Sequence, residues 1–158
     1  MVADVGRVGK GPAVPPHPGA STLAVSARMS RFPRRDTAPE MALRHRLHAA
    51  GYRYRVNFPV PGRGRRTIDI AFTRLRVAVF IDGCFWHGCS EHGSLPKANR
   101  SWWDQKMRVT KARDVDTTAC LVSAGWLVLR FWEHDSAEWM LRTVAEAVAE
   151  RNVQESGR

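Results

Sequence analysis

The stretch RVAVFIDGCFWHGCSEH, residues 76–92, joins an apolar run to a loop dense in reactive side chains. Residues 76–81 are almost continuously apolar, which predicts a strand that is buried on both faces of a sheet. The residues from Ile81 to His92 then place carboxylate, thiol, imidazole and large aromatic groups close together. A loop that follows a rigid strand is a common position for functional side chains, so we expect the functional site here.

The segments before this stretch predict one helix and two strands. The spacing of Thr37 and Glu40 is that of a capping box, and an apolar stripe of Leu43, Leu47 and Ala50 predicts a helix that Gly51 ends. Alternating residues predict a strand over residues 52–58. Residues 67–72 also have period two, which predicts a strand with Ile68, Ile70 and Phe72 on one face.

The segments after the loop predict a helix, a strand and a last helix. The helix begins at Arg100 and ends before Gly125, with an apolar stripe of Ala112, Val115, Ala119 and Val122. Residues 126–131 predict the fourth strand, and a cap within residues 135–138 begins a helix through Val148. The order α-β-β-β-α-β-α predicts an α/β domain with a mixed central sheet flanked by helices.

The ends of the chain differ from this central part. Residues 1–25 are rich in Gly and Pro, which predicts a flexible N-terminal tail. Residues 26–152 form the predicted domain, and residues 153–158 form a short C-terminal tail. The basic segment at residues 26–35 is interpreted either as an arm on a phosphate backbone or as a linker.

Composition limits the classes of partner and compartment. The 158 residues carry a formal net charge of +10, mostly from arginine. This charge favours binding of a polyanion such as nucleic acid; the alternative is a basic composition without a binding role. An odd number of cysteines argues against a disulfide framework and for a metal site in a reducing compartment. Because neither a signal peptide nor a membrane span is evident, we expect a cytoplasmic protein that does not contact membranes.

The cysteines and histidines of the loop have the spacing of a zinc site. Cys84 and Cys89 are separated by four residues, and Cys89 and His92 by two. Thiolates and imidazoles suit tetrahedral Zn²⁺. We expect His134 as the fourth ligand, because the end of the fourth strand would lie beside the loop, and His87 is the alternative. Four protein ligands would make this a structural brace; the alternative is a loop without metal. We expect Cys120 in the core.

Three carboxylates suggest a second, catalytic cation. Asp69 lies in the middle of an apolar strand, where a carboxylate is costly unless it is paired or binds a cation. Together with Glu40 and Asp82 it would supply the oxygen ligands that Mg²⁺ prefers. Two alternatives stay open: Glu40 serves only as a capping residue, and Asp82 accepts hydrogen bonds from the Gly83 turn.

These motifs resemble the very short patch repair (Vsr) DNA mismatch endonucleases over roughly residues 26–150. The resemblance rests on the segments TAPE (37–40), PGR (61–63), DGCFWHGC (82–89), RD (113–114), GW (125–126) and FWE (131–133), together with Asp69. It implies a restriction-endonuclease-like fold with a structural zinc site. It also implies a Mg²⁺-dependent, strand-nicking endodeoxyribonuclease that cuts 5′ of the thymine in T:G mismatches left by deamination of 5-methylcytosine.

The resemblance also implies roles for individual residues. Asp69 would bind Mg²⁺ with the backbone carbonyl of Ile81, while Glu40 and Asp82 would hold metal-bound waters. His87 would be the general acid or base, and Asp114 would orient it; a salt bridge to Arg113 or Lys111 is the alternative for Asp114. The implied zinc ligands are Cys84, Cys89, His92 and His134.

Aromatic residues near the loop resemble the family's intercalating wedge. The implied wedge comprises Phe85, Trp86 and Trp103, with Met29 reaching the DNA from the minor-groove side and Trp102 in the core. The expected partner is duplex DNA with a T:G mismatch, bound by a monomer near the nucleoid, with mismatch-repair proteins as further partners.

The sequence also departs from the family pattern. Asp82 replaces the histidine of some members, Thr110 stands where asparagine is common, and residues 63–66 form an insertion. Two alternatives therefore remain: a restriction-like nicking endonuclease with another sequence context or no mismatch requirement, and a module that only binds DNA.

Overall fold

The computed structural model describes residues 14, 16–19, 27, 35–93 and 95–157. Its helices and strands are, in chain order, α1 (Ala38–Ala49), β1 (Arg55–Pro59), β2 (Thr67–Phe72), β3 (Val77–Asp82), α2 (Cys84–His87), α3 (Arg100–Ser123), β4 (Leu127–Trp132) and α4 (Ala137–Ser156). The strands form one mixed sheet in the order β1-β2-β3-β4, in which only β3 and β4 are parallel. This confirms the predicted α/β class with helices flanking a mixed sheet.

Element boundaries agree with the prediction to within a few residues. β2 has the predicted limits, and β3 and β4 each begin and end one residue later than expected. The predicted strand at 52–58 begins only at Arg55, and the short helix α2 was not predicted. α4 continues past Val148 to Ser156, so residues 153–156, expected in a tail, are helical. Met29 and most of residues 1–34 lie outside the described residues.

The sheet separates two apolar layers. On one face, α1 and α4 pack on the sheet through Leu43, Leu47, Met140 and Val144, all of which are almost fully buried. On the other face, Leu121 of α3 packs against a second buried cluster. β3 is buried along its whole length, which confirms the prediction made from its continuous apolar run. Among the described residues, no helix is long and apolar enough to cross a membrane.

The expectation that Ile68, Ile70 and Phe72 share one face of β2 is wrong. Ile70 and Phe72 pack with α1 and α4, whereas Ile68 packs on the α3 side. The alternation is interrupted between Ile68 and Ile70, opposite the part of β1 where Asn57 has a positive φ of 49°. The residue at this interruption is Asp69, the carboxylate expected to bind the catalytic cation.

The apolar stripe predicted for α3 is also wrong. Val115 and Val122 are 70% and 57% exposed, whereas the buried face is formed by Trp103, Met107, Thr110, Thr117 and Leu121. The apolar side chains of Ala112, Val115, Ala119 and Val122 predicted a buried face, but this face of α3 is exposed to solvent. Cys120, expected in the core, is only partly buried, and its thiol donates to the carbonyl of Pro61 at 3.3 Å.

The parallel pair β3–β4 positions the site. Parallel strands end at the same edge of a sheet, so the loop after β3 and the residues after β4 meet there. Asp82 pairs with Trp132 in this register, and the amide of Glu133 donates to the carbonyl of Asp82 at 3.0 Å. His134 follows directly, which brings it to the loop that contains the two cysteines.

Candidate active site and metal-binding cluster

Asp69 is a largely buried carboxylate at the end of the regular β2–β3 pairing. The pairing of β2 with β3 extends only to Ile70 and Val79. Beyond this point the amide of Ile81 donates to the Asp69 carboxylate at 2.9 Å instead of to a strand carbonyl. Burial, together with the neighbouring carboxylates of Glu40 and Asp82, raises the pKa of Asp69 to about 6. Negative charge is therefore concentrated at this point.

Glu40 is buried at the start of α1 and is held from several sides. Its carboxylate accepts from the hydroxyl of Thr37 at 3.0 Å, from the amide of Asp36 at 3.0 Å and from Nη2 of Arg44 at 3.1 Å. Thr37 is the N-cap residue, but its side chain caps no amide of the helix, so the predicted capping box forms only in part. Glu40 is 5% exposed, and its negative charge helps to raise the pKa of Asp69.

Asp82 ends β3 and is bound by an arginine of the neighbouring strand. Nε and Nη2 of Arg130 donate to the two oxygens of Asp82 at 2.8 and 3.0 Å. Asp82 therefore forms an ion pair with two hydrogen bonds to the neighbouring strand, and does not only accept hydrogen bonds from the Gly83 turn. Asp82 also approaches Nδ1 of His87 in α2 at 3.5 Å, and its negative charge helps to raise the pKa of Asp69.

His87 is the last residue of α2 and faces two carboxylates. Its Nδ1 lies 2.7 Å from Oδ2 of Asp114 and 3.5 Å from Oδ1 of Asp82. The helix that carries it is fixed at its start, where the amide of Cys84 donates to Glu133 at 2.8 Å. No close contact of Asp114 with Arg113 or Lys111 is observed; it pairs with His87 and approaches Arg130 at 3.4 Å.

The structure brings the four predicted zinc ligands together. Ligand atoms of Cys84, Cys89, His92 and His134 all lie within 4.8 Å of one another. Nδ1 of His134 lies 3.0 Å from Sγ of Cys84 and 3.2 Å from Nδ1 of His92. Burial and the adjacent Cys89 raise the pKa of Cys84 to about 12. Two thiols and two imidazoles form a donor set that could hold a metal ion such as Zn²⁺, whose bonds to these groups are about 2.0–2.3 Å long.

A cluster of aromatic rings lies beside this site. The Phe85 ring is 5.0 Å from Trp86 and 5.2 Å from Trp103, measured between centroids. Trp86 is 37% exposed, whereas Trp103 is 5% exposed and forms the base of the cluster. The assignment of Trp102 to the core is therefore wrong: Trp102 is partly exposed at the edge of the cluster, and its neighbour Trp103 is the buried one. The helical phase of α3 decides between them, because Trp103 shares its face with Met107 and Thr110.

Comparison with known proteins gives matches to one family. The family model described as DNA mismatch endonuclease Vsr matches residues 22–92. A type II nicking enzyme, V.NaeI from Lentzea aerocolonigenes, is 41% identical over 134 residues, which cover 84% of this chain and 81% of that protein. The DNA mismatch endonuclease Vsr of Escherichia coli (strain K12) is 33% identical over 112 residues, with 68% of each chain covered.

The chain belongs to the Vsr family. It is accordingly a DNA endonuclease, and membership implies a restriction-endonuclease-like fold, with which the mixed four-stranded sheet agrees. A further relative, the type II nicking enzyme V.XorIIP of Xanthomonas oryzae pv. oryzae (strain KACC10331 / KXO85), is 38% identical over 66% of this chain and 76% of its own length. The names of the relatives thus fall into two groups, nicking enzymes and a mismatch endonuclease.

The structure also places two charged residues in this Vsr-family site: Arg130, which the sequence did not single out, and Glu133, which the sequence marked only as part of the FWE segment. Arg130 binds Asp82 and approaches Asp114, and Glu133 fixes the start of α2. The signal for Arg130 was weak, because arginine is the most abundant charged residue of this chain. A charged residue in the middle of an otherwise apolar strand, LVLRFW, was the available sign.

The basic turn at residues 63–66 is attached to α3. Nε and Nη2 of Arg63 donate to the two oxygens of Asp116, each at 2.9 Å, and Arg66 bonds to Asp116 and to the hydroxyl of Thr117. The hydrogen bonds from Arg63 and Arg66 lower the pKa of Asp116 to about 2. The basic turn is therefore held against the helix that carries Asp114, and Arg65 remains exposed at its tip.

Proposed function

We propose that this chain nicks one strand of duplex DNA, 5′ of the thymine in T:G mismatches produced by deamination of 5-methylcytosine, in a reaction that requires Mg²⁺. The observation that carries the proposal is the convergence of carboxylates around Asp69. Asp69 is buried beside Glu40 and Asp82, and these neighbours already engage Arg44 and Arg130 in ion pairs. An additional cation at Asp69 would offset the remaining charge.

The residues that would hold Mg²⁺ are Asp69 and the backbone carbonyl of Ile81. The carbonyl and amide of a strand residue face the same neighbouring strand, and the amide of Ile81 already contacts Asp69. Glu40 and Asp82 would bind through waters, since Mg²⁺ keeps several waters in protein sites. Bound Mg²⁺ supplies neutralisation of the phosphate oxygens and a water nucleophile of lowered pKa.

His87 is proposed as the general acid or base, with Asp114 as the residue that orients it. With Nδ1 hydrogen-bonded to Asp114, Nε2 of the ring stays available for proton transfer. An imidazole has an ordinary pKa near 6.5, so it can both accept and release a proton at neutral pH.

Recognition of the mismatch is proposed to depend on the aromatic cluster. Phe85 and the exposed Trp86 would enter the base stack, with Met29 on the minor-groove side, while Trp103 supports them from below. Separating two base steps costs a few kcal/mol, and less at a mismatch, so a wedge discriminates in favour of mismatched DNA.

We further propose that Cys84, Cys89, His92 and His134 bind a structural Zn²⁺. The chemistry of the donors supports zinc over Mg²⁺, which prefers oxygen ligands. The ligands come from α2, from the turn that follows it and from the second residue after β4, so the ion would connect the segment that carries His87 to the sheet. We also propose that the protein acts as a monomer.

A second candidate function is strand nicking with a different sequence context or without a mismatch requirement. Relatives named as type II nicking enzymes favour it, as does the fixed insertion at residues 63–66. Both candidates share the chemistry at Asp69 and differ only in the DNA that is selected.

The test is a nicking assay on duplexes of one sequence that contain either T:G or T:A at a methylation site. We expect nicking of T:G alone, only with Mg²⁺, and a loss of at least about 10³-fold in Asp69→Asn. Glu150→Gln, which removes an exposed carboxylate of α4, is the matched control. Equal nicking of both duplexes favours the second candidate, and full activity of Asp69→Asn refutes both.

A further inference from the structure

Arg130 occupies the centre of the proposed active site without a role in the mechanism above. It lies on β4 with its guanidinium 4.7 Å from the centre of the Phe80 ring, and its side chain is 24% exposed. Both oxygens of Asp82 accept from it, at 2.8 and 3.0 Å. A guanidinium in this fork geometry fixes the plane of the carboxylate as well as its charge.

The same guanidinium also reaches helix α3. Nη2 lies 3.4 Å from Oδ1 of Asp114, and Nη1 lies 3.2 Å from the hydroxyl of Thr118. Burial opposes the charge of Arg130, but the bonds to Asp82 and the nearby carboxylates outweigh it, and the pKa of Arg130 is raised above its ordinary value. Arg130 is therefore a permanent cation that connects the end of β3 to the middle of α3.

His87 lies between the two carboxylates that Arg130 binds. Its Nδ1 is 2.7 Å from Asp114 and 3.5 Å from Asp82. The Nδ1–H group of His87 can make one strong hydrogen bond, so the two carboxylates compete for it. Because both Asp82 oxygens already accept from Arg130, the competition is decided in favour of Asp114, to which Arg130 is bound less tightly.

We propose that Arg130 is a positioning residue for strand cleavage: by binding Asp82 with two bonds, it leaves Asp114 as the acceptor of the Nδ1–H of His87 and keeps Nε2 available for proton transfer. The inference rests on the proposed function, since it concerns the reaction assigned to His87. It also accounts for an aspartate at position 82, because Arg130 on the adjacent strand balances the charge of this carboxylate.

The experiment compares Arg130→Met, which keeps the stem over Phe80, with Arg130→Lys, which keeps the charge but not the fork. We expect kcat to fall about 100-fold in the first and about 10-fold in the second, with the Kd for the duplex within about twofold of wild type. Arg142→Met removes an exposed arginine of α4 and serves as the control, with wild-type kcat. All assays run well below the melting temperature of each variant, so that a purely structural role would leave kcat unchanged.

A second readout does not depend on DNA cleavage. In ¹⁵N NMR spectra at pH 8, assigned with His87→Gln, we expect a single Nδ1–H tautomer of His87 in wild type and a mixture in Arg130→Met. Wild-type kcat in folded Arg130→Met or Arg130→Lys, or an unchanged tautomer, overturns the proposal; if Arg130→Met does not fold, Arg130→Lys decides. An inactive wild-type enzyme instead refutes the proposed function, and the tautomer still tests Arg130.

Discussion

Nδ1 of His87, on the short helix after β3, lies 2.7 Å from Oδ2 of Asp114, in the middle of a helix that begins at Arg100. The two residues are 27 positions apart, and both side chains are about one-fifth exposed. A carboxylate at this distance selects the Nδ1–H tautomer and stabilises the imidazolium once it forms. The relationship links the loop of residues 83–93 to α3.

The first prediction is that Asp114→Asn lowers kcat by about 100-fold and leaves the Kd for DNA unchanged. The amide removes the negative charge that stabilises a protonated His87, and its NH₂ group favours the wrong tautomer. Single-turnover nicking rates at saturating enzyme measure the effect directly. Glu146→Gln, an exposed carboxylate change on α4, should match wild type. A wild-type single-turnover rate in Asp114→Asn would refute the role of the pair.

The second prediction concerns the pH dependence of stability without Mg²⁺. Asp69 has an ordinary pKa of 3.8, which burial raises to about 6 in the folded protein. The folded state therefore binds the proton more tightly than the unfolded state, and between these values folding takes up a proton. Stability from this group is lost as pH rises from about 4 to 6, by roughly 3 kcal/mol in total.

Asp69→Asn removes this titration, so the variant should gain stability relative to wild type as pH rises through the same window. The measurement is the difference in free energy of urea unfolding between the two proteins at several pH values, with Mg²⁺ absent. Taking the difference cancels contributions that both proteins share, such as protonation of the cysteine and histidine cluster. A difference that is constant from pH 4 to pH 7 would contradict the raised pKa.

Much of the fold and of the site was predictable from local sequence. A continuous apolar run defined β3, and the cysteine and histidine spacing in the loop identified three members of the Cys/His cluster. His134 followed from topology, because a strand adjacent to β3 ends at the same edge. These predictions succeeded because each depends on short-range pattern or on a single strand pairing.

The errors arose where packing overrides pattern. The stripe of Val115 and Val122 has helical spacing, yet the sheet contacts the opposite side of α3, where Thr110 and Thr117 are buried. Trp102 and Trp103 are adjacent, and only the helical phase decides which is buried. Arg130 was missed because its contacts are with partners on β3 and α3 that no local pattern identifies.

The third prediction is that Cys84→Ser loses zinc and lowers the free energy of unfolding by about 3 kcal/mol or more under zinc-saturating conditions. Serine is a poor zinc ligand, and without the ion the loop has few buried groups of its own. Metal analysis after dialysis and urea unfolding measure the two quantities. Cys120→Ser is the control, because Cys120 lies outside the cluster and its thiol donates to the carbonyl of Pro61. Retention of stoichiometric zinc by Cys84→Ser would refute the assignment.

The last prediction concerns the aromatic wedge. Trp86 is 37% exposed and contacts Phe85, whereas Trp139, 42% exposed, packs on Phe131 on the α4 side of the sheet. Trp86→Ala should reduce the preference for T:G over T:A duplex by at least about 10-fold in kcat/KM, because the stacking that offsets base-step separation is lost.

Trp139→Ala removes an equally exposed tryptophan and should leave the preference unchanged, which separates wedge contacts from general effects of losing an indole. The ratio of kcat/KM values for the two duplexes is the quantity to compare, since a change in total activity alone would also follow from misfolding. If Trp86→Ala and Trp139→Ala both retain the full preference for T:G, mismatch selection does not depend on the Trp86 ring. The exposed aromatic face would then be a contact surface without discriminating function.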